Sequence, residues 1–213
     1  SLAGSYPNIL DDEIVGEAAT QLFKDANQML DDLEKSNKIS NKSVIGFWPA
    51  SQDNKNQVKV FKDEKRKDVI ATLNFPRQQR FQGEGNPNLS FSDFIAPEDN
   101  EINDYIGAFA VTSGLGVEEE CINFERNNDD YSSIMLKAIA DRLAESLAEY
   151  IHEKVRKEFW GYARGEELSN QQLIKEKYVG IRPAPGYPAC PDHSEKFKLF
   201  SLLEAENKAN ISL

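Results

Sequence analysis

Apolar residues recur at helical spacing in two long stretches. Tyr131, Met135, Ile139, Leu143, Leu147, Ile151 and Val155 fall four apart, and Ile134, Leu136, Ala138 and Tyr150 widen the stripe. This predicts a helix over 129–160, capped by Asp129 or Asp130 and ended at Gly161. Ile14, Ala18, Leu22, Ala26, Met29, Leu30 and Leu33 predict a second long amphipathic helix after Pro7 and Asn8, with Asp11 and Asp12 as its caps. A shorter helix is predicted over 169–178 on a Ser169 cap, and a last one over 193–209 with Phe197, Leu199, Phe200 and Leu203 facing inward.

Between these helices the period changes. "SVIGFWPAS" (43–51), "NQVKVFKD" (56–63) and "DVIATLNFP" (68–76) gather β-branched and aromatic residues between polar turns, which predicts an antiparallel meander. A Gly/Pro/Asn-rich loop over 82–88 and an irregular "LSFSDFIAP" (89–97) lead into "DYIGAFAVTSGLG" (104–116). That run is apolar on both faces, so it is predicted to be a strand in the middle of a sheet. The predicted fold class is α+β: a single domain with a twisted, mainly antiparallel β-sheet and long helices packed against it. "NISL" at the end reads as the beginning of a further strand.

Length and charge narrow the function. A chain of 213 residues buries a sizeable core without staples. With 36 acidic and 25 basic residues the net charge is −11, which disfavours nucleic acid or an anionic membrane surface as the partner. Cys121 and Cys190 stand in unrelated contexts, so neither a disulfide framework nor a four-ligand zinc site is predicted, and a reducing, cytoplasmic compartment is. "SLAGSYPNIL" lacks the basic and apolar regions of a leader, and without an initiator Met it reads as a piece of something longer.

The candidate chemistry concentrates in "GIRPAPGYPACPDH" (180–193). Arg182, Ala184, Tyr187 and Cys190 each precede a proline and are pushed toward extended backbone, so the loop is predicted to be stiff. The backbone N–H groups of Ala184, Gly186, Tyr187 and Ala189 are then expected to face a ligand. Arg182 offers a planar fork for a carboxylate, Gly186 permits close approach, and Tyr187 brings a ring face and a hydroxyl. These groups suit a small zwitterion with an aromatic or cationic part. The alternative is a polyproline-like connector whose arginine pairs with a surface carboxylate.

Two further sets of residues carry candidate chemistry. Cys190 and His193 have the spacing of half a metal site or of a thiolate beside an imidazole; the plain alternative is a buried thiol and a helix-capping histidine. Asp141, Glu145 and His152 fall within about 40° of one another on the long helix, so the two carboxylates share an edge suited to a cation or simply to water. No dinucleotide fingerprint, P-loop, nucleophile elbow or H-E-x-x-H is present.

"GIRPAPGYPACPDHSEK", "SLAGSYPNILDDEIVGEAATQLFKDAN", "DYIGAFAVTSGL" and "DDYSSIMLKAIADRLAESLAEYIHEKVRKEFWGY" together resemble the C-terminal activation domain of cobalamin-dependent methionine synthases, in order and over residues 1–209. The resemblance implies a domain that binds S-adenosyl-L-methionine and presents its methyl group to cob(I)alamin after cob(II)alamin has been reduced. It implies cobalamin held by another domain of the same polypeptide, zinc only in another domain, and an electron from flavodoxin or a flavoprotein reductase. By the same resemblance Arg182 receives the S-adenosylmethionine carboxylate, and Ala184, Gly186 and Tyr187 contact it through the loop. Glu145 lies near the methionine moiety, and Asp141 and His193 face the cobalamin domain. The family's pocket also draws on an aspartate upstream of "SLAG" and a Tyr-Phe pair beyond "NISL", so an activation domain shortened at both ends is expected, with weak binding by this stretch alone. A noncatalytic S-adenosylmethionine-sensing or docking module, and a thiol or metal hydrolase on Cys190 and His193, are the competing readings.

Overall fold

The computed structural model describes residues 4–53, 55–81 and 83–213; Gln82, the first residue of the predicted 82–88 loop, and Ser1 to Ala3 of the N-terminal segment lie outside it. The chain divides into two compact units: residues 1–41 with 112–149, and residues 42–111 with 150–213. The elements, in order, are a short 3-10 helix Asn8–Asp11, α1 (Gly16–Ser36), β1 (Ser40–Gln52), β2 (Gln57–Phe61), β3 (Val69–Asn74), a 3-10 turn Phe91–Phe94, β4 (Asp104–Leu115), α2 (Val117–Arg126), α3 (Asp130–Lys154), a π-helical turn Val155–Phe159, α4 (Asn170–Ile174), α5 (Glu195–Leu203) and α6 (Ala205–Ala209). The α+β class read from the sequence therefore holds.

In the first unit, α1 starts at Gly16 rather than near Ile9. Asp12 explains the delay: its Oδ1 accepts from the N–H groups of Ile14 and Val15, both at 2.9 Å, and holds a turn ahead of the helix. No element was predicted between 116 and 129, yet α2 lies there. Glu118, Glu119 and Glu120 fill its first turn and Arg126 its last, the order that a helix dipole favours. Gly116 ahead of it has φ +92°, and a Cβ there would collide with the Lys38 carbonyl oxygen, so both the turn and the close approach require glycine. Lys38 Nζ then reaches Glu120 at 2.8 Å, and the buried Cys121 thiol donates to the Ser133 carbonyl at 3.6 Å.

The second unit holds the meander. The sheet order is β3-β2-β1-β4, with β1–β2 and β2–β3 antiparallel; Ala50 pairs with Val60 and Val58 with Leu73. The long apolar strand β4 thus lies at an edge rather than in the middle. Its burial pattern agrees: only Ile106, Ala110 and Ser113 are fully buried. One core gathers Ala50, Val58, Val60, Leu73, Phe75, Ile95, Ile106 and Cys190; a second gathers Ala110, Leu203, Ala205, Ala209 and Ile211. Alternation along β2 places Val58 and Val60 on the same face, which is why both are fully enclosed.

The C-terminal predictions need two corrections. The helix over 193–209 is broken at Glu204, which adopts left-handed backbone (φ 51°) between α5 and α6. "NISL" forms no strand: the Ile211 N–H donates to the Ala205 carbonyl at 3.2 Å and its side chain closes the second core. The long central helix runs as α3 and then widens into the π turn, where the N–H groups of Trp160 and Gly161 both reach the Val155 carbonyl, at 2.9 and 3.2 Å. Its stripe is narrower than predicted, since Tyr131 and Ile134 face solvent while Met135, Leu136, Ile139 and Ala140 are buried.

Candidate functional site

The proline-rich loop is closed by its own backbone. Gly186 N–H donates to the Cys190 carbonyl at 2.7 Å, Tyr187 N–H to the Ala184 carbonyl at 3.1 Å, and Cys190 N–H to the Tyr187 carbonyl at 2.9 Å. Two of the four N–H groups expected to face a ligand are therefore already used. The prolines set extended backbone locally, but the glycine at φ +106° turns the chain back and lets consecutive turns satisfy these groups. Ala184, Gly186 and Tyr187 of the loop are exposed, and Arg182 is half-buried.

Both ends of the loop are fastened. On the C-terminal side, Phe91 N–H donates to the Ala189 carbonyl at 2.9 Å, and Asp192 Oδ1 accepts from Ser194 N–H at 2.8 Å as α5 begins. Hydrogen bonding from the Ser194 side chain, and then from its backbone N–H, holds the Asp192 carboxyl below its usual range. The buried Glu195 accepts from Lys198 Nζ at 2.8 Å and from Asn74 Nδ2 at 3.3 Å, and Lys198 Nζ also donates to the Thr72 carbonyl at 2.8 Å, tying α5 to β3. His193 is exposed yet packs on the loop, its ring over Gly186.

On the N-terminal side, Tyr162 Oη donates to the Val179 carbonyl at 3.3 Å, and a Cβ on Gly180 (φ +94°) would stand 3.1 Å from that hydroxyl oxygen. Next to it lies a cluster that sequence reasoning did not assemble. Arg156 is fully buried, with Nε donating to both carboxylate oxygens of Glu166, at 2.7 and 2.8 Å. One terminal nitrogen of its guanidinium lies 2.8 Å from His152 Nδ1, and its Cζ stands 4.6 Å from the centre of the Tyr178 ring. The His152 ring meets Tyr178 edge-on at 4.7 Å. Because a guanidinium only donates, Nδ1 is the acceptor and the imidazole proton sits on Nε2. Burial, then the charges of Arg156 and Arg182, push the His152 pKa down to about 3.

His152 was grouped by angle with Asp141 and Glu145, and the structure separates them. The angle is right but the surroundings change along the helix. His152 is covered in the second unit, whereas Asp141 and Glu145 are exposed in the first and share Arg142, at 2.7 and 3.0 Å. An exposed triad of this kind contributes little to stability, and it already carries one cation between its carboxylates.

Cys190 is enclosed in the first core of the second unit, and burial, reinforced by Glu195 and Asp192, raises its pKa to about 11. A buried thiol in that state acts as a packing group, which speaks against Cys190 as the nucleophile of a thiol hydrolase. Cys121 and Cys190 are both free and buried. Among the described residues no group of three or more His, Cys, Asp or Glu side chains is arranged to hold a metal ion, and no helix is long and apolar enough to cross a membrane.

The α+β scaffold that carries this loop has a counterpart among solved structures. The crystal structure of the MetH reactivation domain bound to AdoHcy matches the whole of this chain at 50% identity with a TM-score of 0.93, and this chain covers 65% of that one. Over residues 1–213 the sequence also matches the profile of the vitamin B12 dependent methionine synthase activation domain. The chain belongs to that family.

Proposed function

We propose that this chain is the reactivation module of a cobalamin-dependent methionine synthase, a methyltransferase, and that it binds S-adenosyl-L-methionine and orients its methyl group. The observation that carries this reading is the full-length likeness to a domain solved with AdoHcy, the demethylated form of that ligand. The loop chemistry supports it. Arg182 supplies a permanent charge and a fork that matches a carboxylate. The exposed Tyr187 ring offers a face to a sulfonium or a heteroaromatic base, and the exposed Ala184 to Tyr187 edge admits close approach.

In keeping with the family, cobalamin is assigned to another domain of the same polypeptide, where it would supply the acceptor of the methyl group. This chain's task is to bind the donor and limit its orientations, and for that it needs no general base. The exposed Asp141 of the first unit and the exposed His193 of the second are each assigned to the cobalamin-bearing domain as partner. Flavodoxin or a flavoprotein reductase is assigned as the electron donor.

The test is calorimetry with S-adenosylmethionine on the full-length protein and on its Arg182→Ala variant. Loss of the guanidinium is expected to weaken binding by about 2 to 4 kcal/mol, the range for a charged pair deprived of one member. Unchanged affinity would remove Arg182 from the site.

A further inference from the structure

We propose that His152, Arg156 and Tyr178 form the positioning device for Arg182: they fix the chain that leads into the arginine and thereby set its fork, without touching the ligand themselves. The inference rests on the proposed role of Arg182 as the carboxylate receiver.

Three residues lie between Tyr178 and Arg182, and this short lead is held from two sides. Under Tyr178 lies the buried Arg156 guanidinium, at 4.6 Å from the ring centre, with the His152 ring edge-on at 4.7 Å. Beyond it, the Tyr162 hydroxyl holds the Val179 carbonyl and crowds Gly180. The downstream turns of the loop are closed by their own hydrogen bonds, so Arg182 stands between two fixed pieces of backbone. A planar fork that binds a carboxylate through two hydrogen bonds tolerates little rotation, and its fixed base supplies the missing constraint.

The charges in the cluster are arranged so that the support does not change state. Glu166 neutralises Arg156 through Nε, leaving the other end of the guanidinium to donate to His152. His152 faces Arg156 from its own helix end and lies within the field of Arg182. A protonated imidazole there would be a third cation and could not accept from Arg156. The neutral ring thus accepts from one guanidinium and adds no charge to the field of the other. Deep burial of Arg156, with its carboxylate supplied only ten residues later, argues that the cluster is a built element and not a chance surface pair.

The experiment compares the affinities of S-adenosylmethionine and decarboxylated S-adenosylmethionine, which differ only in the carboxylate, in the full-length protein. The wild type is expected to prefer the carboxylate-bearing ligand. His152→Leu, which removes the acceptor, is expected to lower that preference about tenfold while leaving the decarboxylated ligand's affinity unchanged. His152→Asn, which restores an acceptor near the Nδ1 position, is expected to recover it. Tyr178→Leu and Tyr178→Phe form a second pair that reads the same quantity on an exposed-side segment should His152→Leu not fold: loss of preference with leucine, retention with phenylalanine. Equal weakening of both ligands in the variants, or a preference untouched by all of them, overturns the positioning role alone. A wild type with no preference overturns the carboxylate role of Arg182, and the inference falls with it.

Discussion

The imidazole of His193 fills the space in which a side chain on Gly186 would begin: an ideal Cβ there would stand 2.7 Å from Nε2 and 3.1 Å from Nδ1. With φ at +106°, the position is closed to other residues by backbone conformation and by packing at once. The two constraints are separable. Gly186→Ala is expected to cost about 1 to 2 kcal/mol of stability and to weaken S-adenosylmethionine binding as the turn opens. Adding His193→Ala should relieve the crowding but leave the backbone cost. Denaturant midpoints of the single and double variants check this; a double variant as stable as wild type would show that crowding alone matters.

Breaking the Arg156–Glu166 pair is expected to be among the most damaging surface-to-core changes in the second unit. Glu166→Ala leaves a fully buried guanidinium without its carboxylate, and losses of about 3 to 5 kcal/mol follow from such uncompensated charges. Thermal or urea unfolding reads this directly. A loss below about 1 kcal/mol, the size typical of exposed pairs, would mean that water replaces Glu166.

Acid should weaken the protein well before its carboxylates titrate. His152 is neutral in the fold, with a pKa of about 3 against an ordinary value of 6.5, so below 6.5 the unfolded chain binds a proton that the folded chain refuses. Its contribution to stability is complete above pH 6.5 and is lost as pH falls from there toward 3, at up to about 1.4 kcal/mol per pH unit. Only below the usual carboxylate range do Asp93, held down by Arg77, and Asp12, held down by backbone N–H groups, add their own loss. Urea midpoints between pH 7.5 and 5 should therefore fall in the wild type and stay flatter in His152→Asn; parallel curves would assign the slope to another group.

Cys190 should be nearly inert while the protein is folded. A thiol raised from 9.0 to about 11 presents about 100-fold less thiolate at neutral pH than an unperturbed one, and its enclosure slows reagents further. Thiol labelling at pH 8 is expected to report opening of the second unit, and Cys190→Ala to retain S-adenosylmethionine binding. Rapid labelling of the native protein would bring the nucleophile reading back.

The elements legible in the sequence were those whose period is written in their own residues: the helices α1 and α3, the three strands of the meander and the Ser169 cap, whose side chain accepts from Gln172 N–H at 3.4 Å. The α1 stripe itself did not hold, since Ile14, Leu22 and Leu30 are exposed and only Gly16 and Ala19 of that helix are buried. The misses have physical causes. α2 carries too few apolar residues to show a stripe, although its acidic first turn and terminal arginine were a usable signal. β4 is apolar on both faces without being central, because helical segments and the sheet edge supply its cover in place of two flanking strands. In the loop, proline content correctly gave stiffness, but hydrogen bonds that close a turn on itself leave no mark in composition. The Arg156 cluster was invisible because Glu166 and Tyr178 come from irregular backbone, where no period brings them to His152. Only the i, i+4 spacing of His152 and Arg156 hinted at it.

The π turn at Val155–Phe159 sets the phase of everything that follows α3. A widened turn behaves as a one-residue insertion, worth about 100° of rotation about the helix axis. Arg156 keeps the ordinary i, i+4 step from His152, and the offset falls after it, where Trp160 meets Phe47 edge-on at 5.4 Å and Tyr162 at 5.8 Å. Deleting one residue from 155–159 would give a more regular helix and a worse protein: the aromatic triplet would rotate away from β1, and the Tyr162 hydroxyl would leave the backbone that leads to Arg182. The irregularity thus works as a phase shifter, and a design effort that straightened it would lose the site while improving the helix.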